Sequence, residues 1–283
     1  MKIGLVAAQS KSEASTLALE IATWLAERGA TVVPETELSF NAYREVDAVV
    51  VLGGDGLMMR AANAYPDTPL LGINFGKVGF LALVERKDWK LALSAVLAGD
   101  YEIEESSTLA ASLERAGQKS DQGWAINDVV IRGESRMIDI EVYIDGHFVN
   151  TYPGDGMIVS TPRGSTAYCM AAGGPILTAG VKGFAIVPIS CHSPIRTPFV
   201  VSESVQTELL LASRHSTKLI LDGRQTTDLQ LGDVVKVNRG IHTFRQIALG
   251  STDFYEAFRT KFNFQIRPGA VPSRRPPIAS LKQ

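Results

Sequence analysis

Short apolar runs alternate with helical stretches through the first hundred residues. The runs that predict strands cover residues 3–8, 30–33, 47–52 and 69–74. Apolar residues spaced three or four apart predict helices, one after Ser10, one opening at Leu57 and one over residues 89–97. Strands that alternate with helices favour a parallel sheet with helices on both faces.

Two of these helices carry boundary residues. Ser10 with Glu13 resembles a capping box, which predicts the start of the first helix. Gly29 and Gly99 follow the last apolar positions of the first and third helices, where a left-handed residue commonly ends a helix.

The pattern changes near residue 100, where alternation with a period of two replaces the helical spacing. Residues 138–144 alternate and are followed by Asp145-Gly146, and residues 218–221 are followed by Asp222-Gly223, as in hairpins. Further apolar runs cover residues 129–131, 157–159, 184–189, 209–211, 234–237 and 244–249. This half is expected to be mostly β, a sandwich or two packed sheets.

Residues 252–262 return to helical spacing and carry four aromatic side chains. A single helix needs a surface on which to bury such a face, so we expect it to pack back on the first domain. The predicted fold is therefore an α/β parallel-sheet domain over residues 1–104 with 250–283, and a β-sandwich-like domain over residues 105–249.

Composition narrows the class of protein. The chain has 283 residues, is 45% apolar and has a formal net charge of -2, which predicts no general attraction to nucleic acid or to an anionic membrane. Cys169 and Cys191 form no disulfide framework, which fits a reducing cytoplasm. No run approaches the roughly 18 apolar residues of a membrane span. The polar residues 9–13 argue against a signal peptide. The four histidines lack the spacing of a zinc site.

The candidate chemistry begins where the third strand ends, at Gly53-Gly54-Asp55-Gly56. Glycines after a buried strand and before a helix leave backbone N–H groups facing one space, which is a ready anion site. Asp55 is out of place there as a phosphate ligand, but suits a base or an anchor for a hydroxyl or a metal. A plain strand-turn-helix with a polar cap is the alternative.

Two more polar clusters interrupt the β half. Asn127 and Asp128 stand side by side in an apolar strand, where buried polar groups are costly without partners, although Asn127 could simply cap a turn. Residues 154–168 run from an Asp-Gly turn through a strand into a hydroxyl-rich loop. Ser165 and Thr166 could cap a helix or bind an amide or ribose, and Tyr168 could stack on a flat ring or simply pack.

Four segments together resemble the bacterial NAD kinase family. They are the Gly-Gly-Asp-Gly turn, Gly-Ile-Asn-Phe-Gly-Lys-Val-Gly-Phe-Leu at 72–81, Asn-Asp at 127–128, and Asp-Gly-Met-Ile-Val-Ser-Thr-Pro-Arg-Gly-Ser-Thr-Ala-Tyr at 155–168 followed by Ala-Gly-Gly-Pro-Ile. The first turn also occurs in relatives of lipid kinases and phosphofructokinases, whereas the 155–176 segment is far more specific. The resemblance extends to about residue 264 and includes Arg259 and Lys261.

The resemblance implies an enzyme that phosphorylates the 2′-hydroxyl of the adenosine ribose of NAD, with ATP or another phosphate donor and Mg²⁺. It implies that Asp55 is the base and that Gly56 lies against the substrate. Asn127 and Asp128 would hold the adenosine half and Asp155 the nicotinamide half. The other implied binding residues are Arg60, Arg136, Arg163, Thr166, Ala167, Tyr168, Ala171 and Gln225. No metal-ligating residue is implied, and a homodimer or homotetramer is expected.

This chain departs from the family pattern at several positions. Leu57 replaces the Thr or Asn of many relatives, Arg163 replaces a Thr, and Pro153 replaces an Arg just before Gly154. The acid of the Asn-Asp pair, Asp128, is shorter than the usual Glu. One interpretation is that a cation has moved ten residues along the chain.

Two other functions fit some of these residues. A lipid or sugar kinase of the same superfold would share the glycine turn, but a lipid kinase needs an apolar groove where this chain has a hydroxyl-rich loop. A non-catalytic dinucleotide sensor would account for Leu57 and Arg163, but Asp55 argues against it.

Overall fold

The computed structural model describes residues 1–38, 42–75, 79–178, 180–194 and 196–250. The chain divides into two compact units, Met1–Glu104 with Arg245–Gln283 and Glu105–Phe244. The helix predicted over residues 252–262, with Arg259 and Lys261, lies outside the described residues, as do residues 76–78 of the second glycine-rich turn.

The first unit is built on parallel strands. Its strands are β1 (Lys2–Ala7), β2 (Thr31–Pro34), β3 (Ala48–Leu52), β4 (Leu70–Asn74) and β5 (Val84–Glu85), and its helices are α1 (Ser12–Ala26), α2 (Asp55–Ala64) and α3 (Trp89–Ala98). The strand order is β4-β3-β1-β2, β5 lies parallel to β4, and Gln246 of the last described strand pairs with Leu70. The predicted parallel sheet is confirmed.

Burial explains why these elements form. Every residue of β3 is buried, as expected of a strand covered on both faces. Leu17, Ile21 and Leu25 of α1 join Trp89 and Leu93 of α3 in one apolar core with the sheet. The helical spacing in the sequence is therefore the spacing of the buried face.

The predicted capping box is wrong. Helix α1 begins at Ser12, its N-cap is Lys11, and no side chain caps it. Ser10 lies one residue too early for its hydroxyl to reach the first-turn amides, so Glu13 has no partner for a box. Gly29 takes a left-handed φ of 79° two residues after the C-cap, and Gly99, with φ 76°, is itself the C-cap of α3.

The second unit contains two antiparallel sheets. Its strands are β6 (Glu102–Arg115), β7 (Gln118–Ala125), β8 (Asp128–Gly133), β9 (Ile138–Ile144), β10 (His147–Gly154), β11 (Gly156–Ser160), β12 (Gly183–Ile189), β13 (Phe199–Ser202), β14 (Thr207–Leu211), β15 (Thr217–Leu221), β16 (Gln225–Leu229) and β17 (Val234–Ala248); the last four residues of β17 belong to the first unit. A short helix, α4 (Tyr168–Ala171), interrupts them.

The two sheets enclose one apolar core. One sheet is ordered β10-β9-β14-β17-β6-β7 and the other β13-β12-β11-β8-β15-β16. Ile140 and Leu209 of the first sheet share the core with Val129, Val159 and Ile186 of the second. The expected β-sandwich is confirmed.

The predicted turns also form. Asp145 and Gly146 have φ of 48° and 78° and join β9 to β10 as a two-residue hairpin with two left-handed residues. Asp222 and Gly223 have φ of 50° and 66° in the turn between β15 and β16. Within the described part of the chain, no helix is long and apolar enough to cross a membrane.

Candidate active site

The turn after β3 opens its backbone to solvent. Gly53 N–H donates to the carbonyl of Ile73 at 2.9 Å, which anchors the turn to the neighbouring strand. A Cβ at Gly54 would meet no atom within 4 Å, whereas one at Gly53 would lie 2.6 Å from the Leu57 side chain. Leu57 therefore packs over Gly53, and the open face lies beside Gly54 at the N-terminus of α2.

Asp55, the first residue of α2, has its carboxylate held by three consecutive backbone amides. Oδ1 accepts hydrogen bonds from the N–H groups of Leu81 and Ala82, each at 3.0 Å, and Oδ2 accepts one from Phe80 at 2.7 Å. A carboxylate has about four acceptor positions, so the described residues leave about one open, on Oδ2. These bonds fix the direction of the carboxylate.

Gly79 is what lets the carboxylate approach this segment. A Cβ at Gly79 would lie 1.7 Å from Asp55 Oδ1, which no side chain could tolerate. The sequence motif predicted that the turn amides donate to phosphate and named no donor to Asp55; the donors of the Asp55 carboxylate come from residues 80–82. Their separation of at least 25 residues from Asp55 hides this contact from any local pattern.

Arg60 lies on the exposed side of α2. Its guanidinium pairs with Glu35 at 3.0 Å, and both side chains are partly exposed. A surface ion pair of this kind contributes little to stability and is screened by salt. The place of Arg60 in a phosphate site stays a prediction.

In the second unit, the Asp222 carboxylate holds the Asn127-Asp128 segment by accepting hydrogen bonds from three consecutive backbone amides. Its Oδ1 accepts N–H bonds from Asn127 at 2.7 Å and from Asp128 at 3.2 Å, and its Oδ2 accepts one from Ile126 at 2.8 Å. The N–H of Asp222 donates in return to the carbonyl of Asp128 at 3.0 Å. The sequence marked Asp222 only as a turn residue.

Asp128 is a buried carboxylate, 5% exposed, at the first position of β8. Burial and then the charge of Asp222 raise the pKa of Asp128 to about 7. Burial also raises the pKa of Asp222, although its three amide donors and Arg224 act in the opposite direction. Asp128 is thus the described carboxylate of this unit that would gain most from a donor on a ligand.

The hydroxyl-rich loop is fastened to the same segment. Thr161 Oγ1 donates to the carbonyl of Ile126 at 2.7 Å and accepts from the N–H of Gly164 at 3.0 Å. Gly164 packs so closely that a Cβ would lie 2.1 Å from the carbonyl oxygen of Asn127. Loop and strand start are therefore one rigid piece.

Ser165 does not cap a helix. Its buried hydroxyl donates to the carbonyl of Pro162 at 2.6 Å and accepts from the N–H of Leu177 at 3.0 Å. Gly164–Thr166 forms a 3₁₀ turn and α4 is only four residues long, and neither has a side-chain cap. Capping by Ser165 or Thr166 is thus wrong, because these hydroxyls bond to carbonyls of the loop instead.

The next predicted residues lie on α4 and just before it. Thr166, Ala167 and Tyr168 are half-buried and Ala171 is exposed. Tyr168 packs at the edge of the apolar cluster around Ile158 and Cys169, and the Arg132 guanidinium lies 5.9 Å from its ring centroid. The packing predicted as the alternative for Tyr168 is therefore present, and the ring is still half open.

Asp155 is exposed between two glycines whose backbones lie against neighbouring strands. A Cβ at Gly156 would lie 2.1 Å from the carbonyl oxygen of Ile131, and one at Gly154 would lie 2.7 Å from that of Ile189. The Asp155 side chain is therefore presented outwards from a tightly fixed backbone. Arg136 is exposed in the loop between β8 and β9, and the backbone of Gln225 pairs with Leu221.

Arg163 is half-buried in the hydroxyl-rich loop. Its guanidinium lies 5.4 Å from the Phe244 ring centroid, and its Nη2 lies 3.5 Å from Ser106 Oγ. Pro153 lies in β10, where its carbonyl accepts the N–H of His192 at 2.8 Å. Arg163 and Pro153, two of the departures from the family pattern, therefore each contact neighbouring parts of the fold.

A cleft of about 610 Å³ opens in the second unit beside the end of α4. Ala172, Gly173, Ser190, His192, Arg196 and Pro198 line it. This volume lies in the range of small-molecule pockets. His192 and Arg196 are lining residues that the motifs did not single out, since neither stands in a recognisable pattern.

Comparison with known proteins assigns the family. Residues 39–101 match the model of the ATP-NAD kinase N-terminal domain, and residues 126–249 match that of the ATP-NAD kinase C-terminal domain. This chain belongs to the NAD kinase family. The resemblance seen in the four motifs is confirmed, and the protein is a phosphotransferase.

Relatives and solved structures agree with the NAD kinase assignment. The chain is 54% identical to an NAD kinase of Thermomicrobium roseum over 97% of this chain and 95% of the relative, and 35% identical to one of Geobacter metallireducens over 93% and 98%. Yeast NADH kinase complexed with NADH has the same fold, with a TM-score of 0.84 at 20% identity over 97% of this chain and 90% of that one. An Archaeoglobus fulgidus NAD kinase in complex with ATP gives 0.72 at 23% identity, over 93% and 98%.

In the ranges that the structure describes, no group of three or more His, Cys, Asp or Glu side chains is arranged to hold a metal ion. Mg²⁺ commonly binds through one or two carboxylates together with substrate phosphates, a mode that needs no such group.

Proposed function

We propose that this chain transfers a phosphoryl group from ATP to the 2′-hydroxyl of the adenosine ribose of NAD, which yields NADP. The observation that carries the proposal is Asp55, whose carboxylate is fixed by three amides with about one acceptor position left on Oδ2. Membership of the NAD kinase family supports the choice of acceptor and donor.

Asp55 is the base of the proposed reaction. Phosphoryl transfer depends on placement and charge stabilisation rather than on covalent chemistry by the protein. A carboxylate restrained by three hydrogen bonds holds the ribose hydroxyl in line with the donor and takes its proton as the oxygen bonds to the γ-phosphorus, whose bond to the leaving ADP breaks. The open backbone beside Gly54 and Gly56 gives the sugar and phosphates room to approach.

The donor phosphates are proposed to lie at the glycine turn. The N-terminus of α2 carries a partial positive charge that favours phosphate. Mg²⁺, bound by the donor phosphates, would neutralise the charge that develops during transfer. Arg60 is proposed to add positive charge by exchanging Glu35 for phosphate.

The second unit is proposed to bind NAD. Asn127 and Asp128 hold the adenosine half, since a ligand donor would compensate the buried carboxylate of Asp128. Asp155 holds the nicotinamide half, and the half-open ring of Tyr168 contacts a flat group. The remaining proposed contacts are Gly56, Arg136, Arg163, Thr166, Ala167, Ala171 and Gln225.

The cellular setting and assembly are part of the proposal. Cys169 and Cys191 are both buried free thiols, which fits a reducing cytoplasm. We propose a homodimer or homotetramer, with the two compact units as its two domains, and no nucleic-acid or membrane partner. Sedimentation of the purified protein would measure the assembly.

The test is the formation of NADP. Purified protein with NAD, Mg²⁺ and a panel of ATP, other triphosphates and polyphosphate is expected to yield NADP with at least one donor, detected with an NADP-specific dehydrogenase. Phosphorylation of diacylglycerol without NADP would favour a lipid kinase. Binding of NAD without turnover for any donor would favour a sensor.

A further inference from the structure

The residues that hold Asp55 are themselves not part of a helix or strand. Residues 79–82 lie between β4 and β5, and the backbone bond within them runs from Gly79 N–H to the carbonyl of Ala82 at 3.3 Å. A segment without a strand partner needs other contacts to stay in place. The direction of the Asp55 carboxylate depends on those contacts.

Gln246 supplies a buried contact of this kind. Its Nε2 donates to the carbonyl of Leu81 at 2.9 Å, and Leu81 N–H donates in turn to Asp55 Oδ1 at 3.0 Å. Gln246 is 1% exposed and Leu81 is 4% exposed. The carboxamide is thus one hydrogen bond removed from the peptide that orients the carboxylate.

The backbone strand behind Gln246 is fixed. Gln246 pairs with Leu70 of β4, the strand that leads towards the segment. The residue after Leu81 is held by a second contact with β4. Gly72 lies so close to Ala82 that a Cβ at Gly72 would be 2.6 Å from the Ala82 Cα. The segment is therefore held between a close backbone contact at Ala82 and the hydrogen bond of Gln246 at Leu81.

A glutamine is costly at this place. Its surroundings are the apolar side chains of Leu71, Leu83, Val84 and Leu249. Gln246 Oε1 has no hydrogen-bond partner among the described residues, and an unpaired buried oxygen destabilises the fold. An apolar residue of the same size would remove this unpaired oxygen and would also leave the Leu81 carbonyl without its donor, so the bond to Leu81 is what a glutamine contributes here.

We propose that Gln246 is a positioning residue for phosphoryl transfer, because its hydrogen bond to the Leu81 carbonyl fixes the amides that orient the Asp55 carboxylate. The inference rests on the proposed function in assigning the reaction to Asp55. Its structural half, that Gln246 holds residues 80–82, does not depend on the reaction.

The test uses Gln246→Met, which keeps the length of the side chain and removes the donor. Turnover of NAD is expected to fall about tenfold with the Kd for NAD within twofold, because a small misplacement of a catalytic group is costly. Thermal stability is expected to change little, since removal of the unpaired Oε1 offsets the loss of the donor to the buried Leu81 carbonyl. Ile21→Ala is the control: it destabilises the core of the same unit and should leave turnover unchanged well below its melting temperature.

The Asp55→Asn background separates positioning from a general effect. If Gln246 acts through Asp55, adding Gln246→Met to Asp55→Asn changes turnover by less than twofold. A full tenfold loss in that background, or turnover within twofold of wild type in the single variant, would overturn the proposal.

Hydrogen exchange provides a readout besides activity. The amides of Leu81 and Ala82 are expected to exchange at least about fivefold faster in Gln246→Met, since local opening governs exchange. Unchanged exchange would overturn the proposal whatever the kinetics. If Asp55→Asn alone kept wild-type turnover, the proposed role of Asp55 would fail and the catalytic half of this inference with it, while the exchange result would still decide the structural half.

Discussion

Asp55 and Asp222 make the same pattern of hydrogen bonds with opposite results. Each precedes a glycine, and each carboxylate accepts hydrogen bonds from three consecutive backbone amides, those of residues 80–82 and 126–128. Asp55 stands at the open N-terminus of a helix, so here the amides hold the carboxylate. Asp222 stands in a hairpin turn, so there the carboxylate holds the amides in place. Asn127 and Asp128, which carry two of these amides, are held with them.

The comparison teaches that the number of hydrogen bonds does not identify a catalytic carboxylate. What differs is the surroundings of the remaining acceptor position. Asp222 also donates its own N–H to the Asp128 carbonyl and lies beside a second buried carboxylate. Asp55 has open backbone at Gly54 and Gly56 on either side. A carboxylate beside open space is placed to accept the proton of a bound hydroxyl.

Replacing each of the two aspartates by asparagine should separate the two expected roles, catalysis by Asp55 and backbone support by Asp222, most strongly. Asp55→Asn is expected to slow turnover by roughly 10²–10⁴-fold, the usual contribution of a general base. The Kd for NAD should change little, because Leu81 and Ala82 can still donate to the remaining oxygen. Steady-state kinetics and calorimetric titration with NAD measure both quantities.

Asp222→Asn is the matched control. It should lower the free energy of unfolding by about 1–3 kcal/mol through the loss of an amide acceptor, measured by urea denaturation, and keep kcat within a few-fold. Equal losses of turnover in the two variants would remove the distinction between them.

Gly79→Ala should have the next largest effect. The new Cβ would fall within 1.7 Å of Asp55 Oδ1, so the carboxylate must turn away. A displacement of about 1 Å at a catalytic group can cost about 10²-fold in turnover, which kinetics would detect. Gly250→Ala, where a Cβ meets no atom within 4 Å, is the control. Turnover near wild type in Gly79→Ala would show that the direction of Asp55 does not matter.

The buried Asp128 should appear in the pH dependence of stability. Its pKa is raised to about 7, so the folded protein binds this proton more tightly than the unfolded chain does. Stability should therefore fall as pH rises from about 4 to about 7. Asp128→Asn should remove that part of the slope and gain up to about 4 kcal/mol at pH 8, measured by urea denaturation. An unchanged slope would mean that Asp128 titrates normally.

Tyr168→Ala should have the smallest effect. Loss of a ring contact is expected to weaken NAD binding by about 1–2 kcal/mol, measured by calorimetric titration. Tyr143→Ala, in the β9 strand of the same unit, is the control and should leave binding unchanged. An unchanged Kd for NAD in the Tyr168 variant would place the ring outside the binding site.

The sequence predicted features that depend on neighbours along the chain. The buried valine run of β3 and the Asp145-Gly146 hairpin need only local spacing and turn geometry, and both form where expected. The long hairpin of β6 and β7 was missed, because its charged and polar residues hide the alternation. Asp55 stood out because an acid among glycines is unusual.

The candidate site could be predicted only as far as its motifs reach. The site depends on hydrogen bonds between residues 25 to 165 positions apart. They join Phe80 to Asp55, Gln246 to Leu81 and Asn127 to Asp222. Capping, one of two alternatives for Ser165, is wrong because its partner Leu177 lies beyond the local window. Side-chain direction and long-range hydrogen bonds require the fold.

The most direct test is a crystal structure of the protein with NAD bound. The account predicts that Asp55 Oδ2 lies about 2.6–3.2 Å from the 2′-oxygen of the adenosine ribose, with the three amide bonds to residues 80–82 retained. A 2′-oxygen far from Asp55, or an Asp55 carboxylate turned away from the bound sugar, would contradict it.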